Sequence, residues 1–418
     1  MEIIGIWTYM ITLYIRPQDW VPFFLNEPVN DVIIGGTLLA VMPKWISEHR
    51  RLYLPHYVFL IIFLALVFFS NAINGLVYAG FEVFVDYVKR AMVFLMFILV
   101  LDSTRRLKWV LFIMMALATL LAIQGIEQVR TGVGWAGQPL MQGYEDIRIT
   151  WIGDWDGPNV LALLFVLGSA IALEFMFGPY RLWYRLLNTF CVAILLYGVY
   201  LTNSRGGVLA LLAVVSFYCA KRFSIRYAII VALALAILAS SFFPSRMAAL
   251  DAEESSAHER LWVWEQGLTL LRENPLFGVG KGQFTKRSYN RLLAHNNYLQ
   301  VAAELGFPGY FCWLALFYCS IKWLFQIQRQ KAENEDQYTI ISLARAMLVL
   351  LVGFSVATFF VTMELDILFV LWALSSSAIL LGREMFPNAQ LRLSTADMAA
   401  IFTAAMAILF LVYAATTL

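Results

Sequence analysis

The chain has 418 residues, of which 61% are hydrophobic, 15% aromatic and only 14% charged. Soluble domains carry about a quarter charged residues, so a soluble globular enzyme is excluded. The net charge of +2 decides nothing by itself, because its distribution matters more than its sum; no nucleic-acid partner is expected.

Apolar stretches recur at 3–15, 31–43, 54–75, 81–101, 108–126, 158–177, 183–202, 207–220, 226–243, 306–327, 339–361, 366–382 and 395–417, thirteen in all, the first two short. About 20 apolar residues cross the ~30 Å hydrocarbon layer as a helix, and backbone groups in lipid must bond internally. The expected fold is an all-α polytopic membrane protein of 12–13 spans, a single unit over 1–418. The N-terminus lacks a basic region and a small-residue cleavage site, so no cleavable signal peptide is expected.

With the N-terminus inside, every inside loop is basic: Lys44, Arg50 and Arg51; Arg105, Arg106 and Lys108; Arg181 and Arg185; Lys221, Arg222 and Arg226; Lys322, Arg329 and Lys331; Arg383 and Arg392. Outside loops 76–80 and 362–365 have no Lys or Arg, as the positive-inside rule requires. Segments 127–157 and 244–305 then fall outside, in a periplasm or its equivalent. The four cysteines, Cys191, Cys219, Cys312 and Cys319, lie in apolar spans, so neither a disulfide framework nor a cysteine metal site is implied.

Along the chain, Lys89 and Arg90 lie inside the span 81–101, where ionisable groups usually face a partner or a watery cavity. Arg90 is spaced to pair with Asp86; Lys89 has no acid at that spacing and is the better ligand candidate. Asp154-Trp155-Asp156 has the look of a metal-binding acid pair, but standing before Gly157-Pro158-Asn159 it reads better as a helix start with Pro near N1. Arg205, in Thr202-Asn203-Ser204-Arg205-Gly206-Gly207, sits at an outer helix junction. A helix N-terminus beside an arginine and two glycines suits a phosphate; an interfacial arginine snorkelling to headgroups is the plainer reading.

The polar island from Phe243 to Phe307 is the least membrane-like part of the chain. Ser256-Ala257-His258-Glu259 matches a capping box, and Leu261, Trp264, Leu268 and Leu271 then recur at helical spacing. Arg260 would stand in that helix's first turn, where a cation is unfavourable without an anion nearby. Gly278-Val279-Gly280-Lys281-Gly282 fails as a P-loop, since no Ser or Thr follows the lysine and no strand precedes it. His295 precedes Asn296-Asn297-Tyr298-Leu299 and is suited to take a proton from a sugar hydroxyl near neutral pH; a capping or structural histidine is the alternative. No second histidine or outer carboxylate cluster makes a metal centre.

Taken together, Thr202–Gly207, Glu259-Arg260-Leu261-Trp262, Asn274-Pro275 with the glycine loop, and His295–Leu299 with Glu304-Leu305-Gly306 resemble the O-antigen ligase and polymerase superfamily (Wzy/WaaL type) in order, spacing and membrane placement. The likeness covers roughly residues 150–330. Tyr14-Ile15-Arg16-Pro17-Gln18-Asp19-Trp20 further resembles the exosortase-associated probable O-glycosylation ligases, while a thirteenth span departs from the usual twelve. The resemblance implies a GT-C-like, metal-independent, inverting glycosyltransferase without cofactor in a bacterial inner membrane. Its donor would be an undecaprenyl diphosphate-linked glycan, and its acceptor a hydroxyl on a glycan, lipid A-core or protein at the periplasmic face. Carried onto this sequence, Arg205 and Arg260 hold the diphosphate and His295 activates the acceptor. Lys89, Arg148, Arg16, Asn296 and Asn203 are candidates for substrate contacts, and the loop 244–305 supplies part of the site. A Wzy-type polymerase shares these motifs; a lipid-linked glycan flippase is disfavoured, since neither repeat symmetry nor broken midplane helices are evident.

Overall fold

The computed structural model describes all residues except 1, 26, 49–53, 143–146, 243–249, 289–290, 363–365, 388–391 and 418, and leaves undescribed the side-chain surroundings of 48, 235–242 and 250–258. His49, Arg50, Arg51 and Phe243 thus lie outside the described residues. In chain order the helices are α1 (Glu2–Tyr14), α2 (Pro17–Trp20), α3 (Val29–Glu48), α4 (Pro55–Ile73), α5 (Val77–Val100), α6 (Thr104–Thr131), α7 (Pro158–Phe177), α8 (Leu182–Thr202) and α9 (Arg205–Arg222). They continue as α10 (Ile225–Phe242), α11 (Leu250–Glu273), α12 (Phe284–Arg287), α13 (Asn297–Gln328), α14 (Glu335–Ala357), α15 (Asp366–Met385) and α16 (Thr395–Thr417).

All thirteen apolar stretches are helical, and nine helices among the described residues are long and apolar enough to cross a membrane. The fold is all-α and polytopic. α1, with 13 residues, reaches only about 20 Å, short of the ~30 Å core. α7, α14 and α15 form the centre, with 89% of the α15 window buried, whereas α16 stands at the edge with 17%. The difference separates helices that pack on protein from those whose apolar side chains are left for lipid.

The alternation expected from the loops is built into the packing, because contacts join ends assigned to the same side. On one side Asn71 donates to the Lys281 carbonyl at 3.1 Å and Arg90 pairs with Asp366 at 3.0 Å. On the other, Arg106 pairs with Glu2 at 3.2 Å and Lys322 with Asp397 at 2.6 Å.

A helix leaves its last carbonyls without internal partners, and α1 resolves this with side chains. Gln18 donates to Thr12 O, Trp155 to Leu13 O, Trp151 to Tyr14 O and Trp20 to Ile15 O, at 2.8–3.1 Å. The Tyr14–Trp20 motif and segment 151–155 together therefore seal one helix end.

Two local expectations are corrected. α11 is already helical at Leu250, so Ser256–Glu259 lie in its interior and open no helix; upstream, Ala252, Glu253 and Glu254 are good helix formers, and acids such as Asp251 are favoured in a first turn. Arg260 is then about three turns in, and the first-turn dipole conflict disappears. The span expected at 306–327 belongs to a longer α13 that starts at Asn297 and breaks at Gly306, whose φ of 66° and ψ of −176° are non-helical. Segment 127–157 holds an unforeseen hairpin, β1 (Met141–Gln142) against β2 (Ile147–Arg148), antiparallel with Met141 opposite Arg148. Pro158 does occupy the start of α7, after a 3-10 turn at Gly153–Trp155.

Candidate active site

The α8–α9 junction is a tight reversal at the end expected from the loop charges to lie outside. Asn203 takes the left-handed conformation (φ 52°) that closes α8, and Ser204 caps α9 by accepting from Gly207 N at 3.1 Å. Arg205 follows as the first residue of α9, with an exposed side chain. A Cβ on Gly207 would lie 2.6 Å from that of Ala162, so glycine lets α9 begin against α7. From β2, Arg148 donates to Thr202 O at 2.9 Å and to Asn159 Oδ1 at 3.0 Å. Arg148 thus ties the end of α8, just before Arg205, to the start of α7.

The second corner is the start of α13. His295 has φ 48°, a region that costs a non-glycine residue of the order of 1 kcal/mol or more and persists where surroundings impose it. The imposing contacts are visible on both sides. Trp264 of α11 donates to Ala294 O at 2.8 Å, Ala294 N donates to Gln300 Oε1 at 3.3 Å, and Asn296 caps α13 by accepting from Leu299 N at 3.0 Å. Asn296 and Asn297 are buried, and their Nδ2 atoms have no partner among the described residues.

Arg260 of α11 lies close enough to His295 to act on its titration. Burial, then the Arg260 charge, push the His295 pKa down, with Glu259 opposing. Burial also lowers the Arg260 pKa, yet a guanidinium remains charged at any ordinary pH. The corner therefore holds a neutral imidazole beside a cation.

What unites the two corners is the turn that ends α14, residues 355–360, which sequence reasoning missed. Asn297 N donates to Thr358 O at 2.8 Å and Tyr298 Oη to Ser355 O at 2.9 Å. Phe359 meets the Trp264 ring edge-on at 5.6 Å, and a Cβ on Gly206 would lie 2.8 Å from that of Phe360. One short turn therefore touches the helix starts that carry Arg205 and His295, and the helix that carries Arg260. Phe359-Phe360 reads in sequence as the end of an apolar span, so no signal marked it.

The glycine loop, visible in sequence only as a motif, has a structural role. Buried Lys281 pairs with buried Glu304 of α13, whose Oε1 also accepts from Phe284 N and Gln300 Nε2, both at 3.3 Å. Gly280 N donates to Glu304 O at 3.1 Å and Phe307 N to Pro275 O at 2.7 Å. The loop is a brace on α13 at its break, and its lysine is consumed in that brace.

Cations in α5 and near α1 are answered from distant sequence. Lys89, with no acid at the i, i+4 spacing on its own helix, meets Asp31 of α3 at 2.7 Å, with both side chains about half exposed. Arg90 pairs with Asp366, no pair to Asp86 being present among the described residues, and Tyr9 Oη donates to the same carboxylate at 3.0 Å. Arg16 (φ 55°) pairs with Asp19 and, at 2.9 Å, with Asp154. Burial works against its charge, but these acids outweigh it and hold its pKa up. Lys89 and Arg16 are thus engaged within the chain. No group of three or more His, Cys, Asp or Glu suited to a metal occurs among the described residues.

No curated protein matches the chain. Residues 190–314 match the family model described as O-antigen ligase, a stretch that begins within α8, ends within α13 and contains Arg205, Arg260 and His295. That stretch is similar to the O-antigen ligase family, an enzyme family of glycosyltransferase type, and it lies within an all-α polytopic membrane fold.

Proposed function

We propose that the chain transfers a glycan from an undecaprenyl diphosphate-linked donor to an acceptor hydroxyl, at the periplasmic face of a bacterial inner membrane. The observation that carries this reading is the juxtaposition of Arg260 and His295, with one turn bracing both corners against the start of α9. The outward assignment rests on the six basic loops of the opposite side. The O-antigen ligase family supports a lipid-linked glycan donor.

In the proposed step the acceptor oxygen attacks the anomeric carbon from the face opposite the diphosphate, which inverts the configuration. The new carbon–oxygen bond forms as the bond to the diphosphate breaks, and the bonding pair leaves with the diphosphate. Arg205 and Arg260 meet that growing negative charge, the kind of stabilisation that counts most in a transition state. His295 accepts the acceptor's proton and, being neutral at working pH, is ready to do so. Asn203 sets the junction before Arg205, Asn296 fixes the residue after His295, and charge stabilisation needs no metal. Lys89 and Arg16 act at a distance from the reaction, and Arg16 holds the N-terminal motif of the exosortase-associated type in place.

Reconstitution with a lipid diphosphate-linked glycan and candidate acceptors tests the reading. His295→Ala and Arg205→Ala should each lower transfer at least about a hundredfold; full transfer by both variants would refute it. The product distinguishes the two members of the superfamily: a ligase yields glycan on a core or protein, a polymerase a longer lipid-linked chain.

A further inference from the structure

α11 has two unlike faces. Trp264 and Gly267 turn inward: Trp264 meets Phe359, and a Cβ on Gly267 would lie 2.8 Å from a Leu299 methyl. Arg260 is four residues before Trp264 and belongs to the same face. On the other face Trp262, Glu265, Gln266, Thr269 and Leu270 follow each other at helical spacing and, with Arg287 of α12 opposite, line a cleft of about 430 Å3. That volume falls within the ~300–1,000 Å3 of small-molecule sites.

The lining narrows the ligand. One acid faces one base, so the cleft favours neither an anion nor a cation. Leu270 is its one aliphatic residue, which suits no lipid chain. Trp262, 37% exposed, offers an indole face, and the carboxylate, hydroxyl and guanidinium of Glu265, Thr269 and Arg287 supply planar or compact hydrogen-bonding groups. A sugar ring has the matching surfaces: a C–H face for an aromatic ring and a rim of hydroxyls that both donate and accept.

We propose that this cleft binds a carbohydrate chain, as a subsite separate from the corner where Arg260 meets His295. The proposal rests on the glycan-transfer reading and extends it. Arg260 and Trp262 project from opposite sides of a helix about 10–12 Å across. A ligand engaging both must extend over that distance, which an oligosaccharide does and a single sugar does not. The chain held here belongs either to the donor glycan or to a glycan acceptor.

A benzophenone amino acid at Thr269 of the full-length protein, irradiated in its own cells, captures the occupant for mass spectrometry. The expected adduct carries carbohydrate. A polyprenyl diphosphate attached to it identifies the donor, and its absence identifies an acceptor. Trp262→Ala should lower the adduct roughly fivefold. Arg287→Gln, on the opposite wall and outside α11, should lower it too and guards against a folding defect in the first variant. An adduct of phospholipid or protein without carbohydrate, or no adduct, overturns the subsite. Repeating the capture with His295→Ala separates the two readings: the adduct persists there if the cleft binds glycan, whereas a fully active His295→Ala refutes the chemistry and leaves the adduct standing.

Discussion

Two charged regions stand at the helix ends that the loop charges assign to the outside, and they differ in how their charges are answered. Around Arg16 and Arg90 every cation meets an acid: Asp19 and Asp154 for the first, Asp366 for the second. Around His295 the cation Arg260 forms no ion pair among the described residues, and burial alone shifts its pKa. Two buried amides there, on Asn296 and Asn297, lack partners among the described residues. A saturated network holds helices together; an unsaturated one reserves its charge for something that arrives. In a membrane protein the number of outer charges is therefore a poor guide to the site, and the number answered within the chain is a better one.

The contrast can be broken from the saturated side. Lys281→Met would leave Glu304 buried and unpaired, and removing one partner of a buried pair costs about 3–5 kcal/mol. Thermal unfolding in detergent should show that loss, with part of it recovered when Glu304→Gln is added. Stability unchanged by Lys281→Met would mean that the glycine loop does not brace α13.

From the unsaturated side, Arg260→Ala should lower transfer about 10²–10³-fold, the loss typical of one donor to a developing oxyanion. Its folding stability should stay close to the parent's. Arg16→Ala, by comparison, should lower the melting temperature more than the specific activity. If the two variants behaved alike, the division between holding and reserving charge would collapse.

A pH profile sharpens the same comparison. The His295 pKa lies below the usual 6.5, so the neutral, proton-accepting form survives to lower pH than a free imidazole. Transfer should hold as pH falls through 6.5 and decline only below the depressed value. Arg260→Gln removes one cause of the depression, so the acid limb of its residual activity should move to higher pH. For stability, an unfolded His295 binds a proton below 6.5 that the folded residue refuses. Its contribution is lost as pH falls below 6.5 and is complete above it. The smallest effect belongs to Lys89→Ala: its half-exposed pair with Asp31 is worth about 0.2–1 kcal/mol, and transfer should change less than twofold.

The spans were legible because length and apolarity alone define them; Arg205 and Arg260 stood out as candidates because the topology rule disfavours Arg outside, and His295 because an imidazole can take a proton near neutral pH. Pairings from distant sequence were not. Spacing rules placed Arg90 with Asp86, but Asp366 is brought to it by a helix near the C-terminus. Lys89 likewise finds Asp31 across helices. A capping box inside helix-forming sequence misled, because Leu250 already begins α11. The hairpin around Met141 and Arg148 is two residues deep and leaves no alternation to detect. The turn at 355–360 escaped notice because its aromatic residues continue the composition of the span before it.

The break at Gly306 divides α13 into two levers with different supports. The outer part, which begins beside His295, is held by the glycine loop through Glu304 and by the turn after α14 through Asn297 and Tyr298. The inner part packs against α4, α14, α15 and α16. A Cβ on Gly306 would strike the Leu276 carbonyl at 2.6 Å, so the joint admits no larger residue. Bilayers of different thickness tilt their spanning helices; the break separates the part of α13 that such tilting would move from the histidine corner, whose orientation is set by its own scaffold.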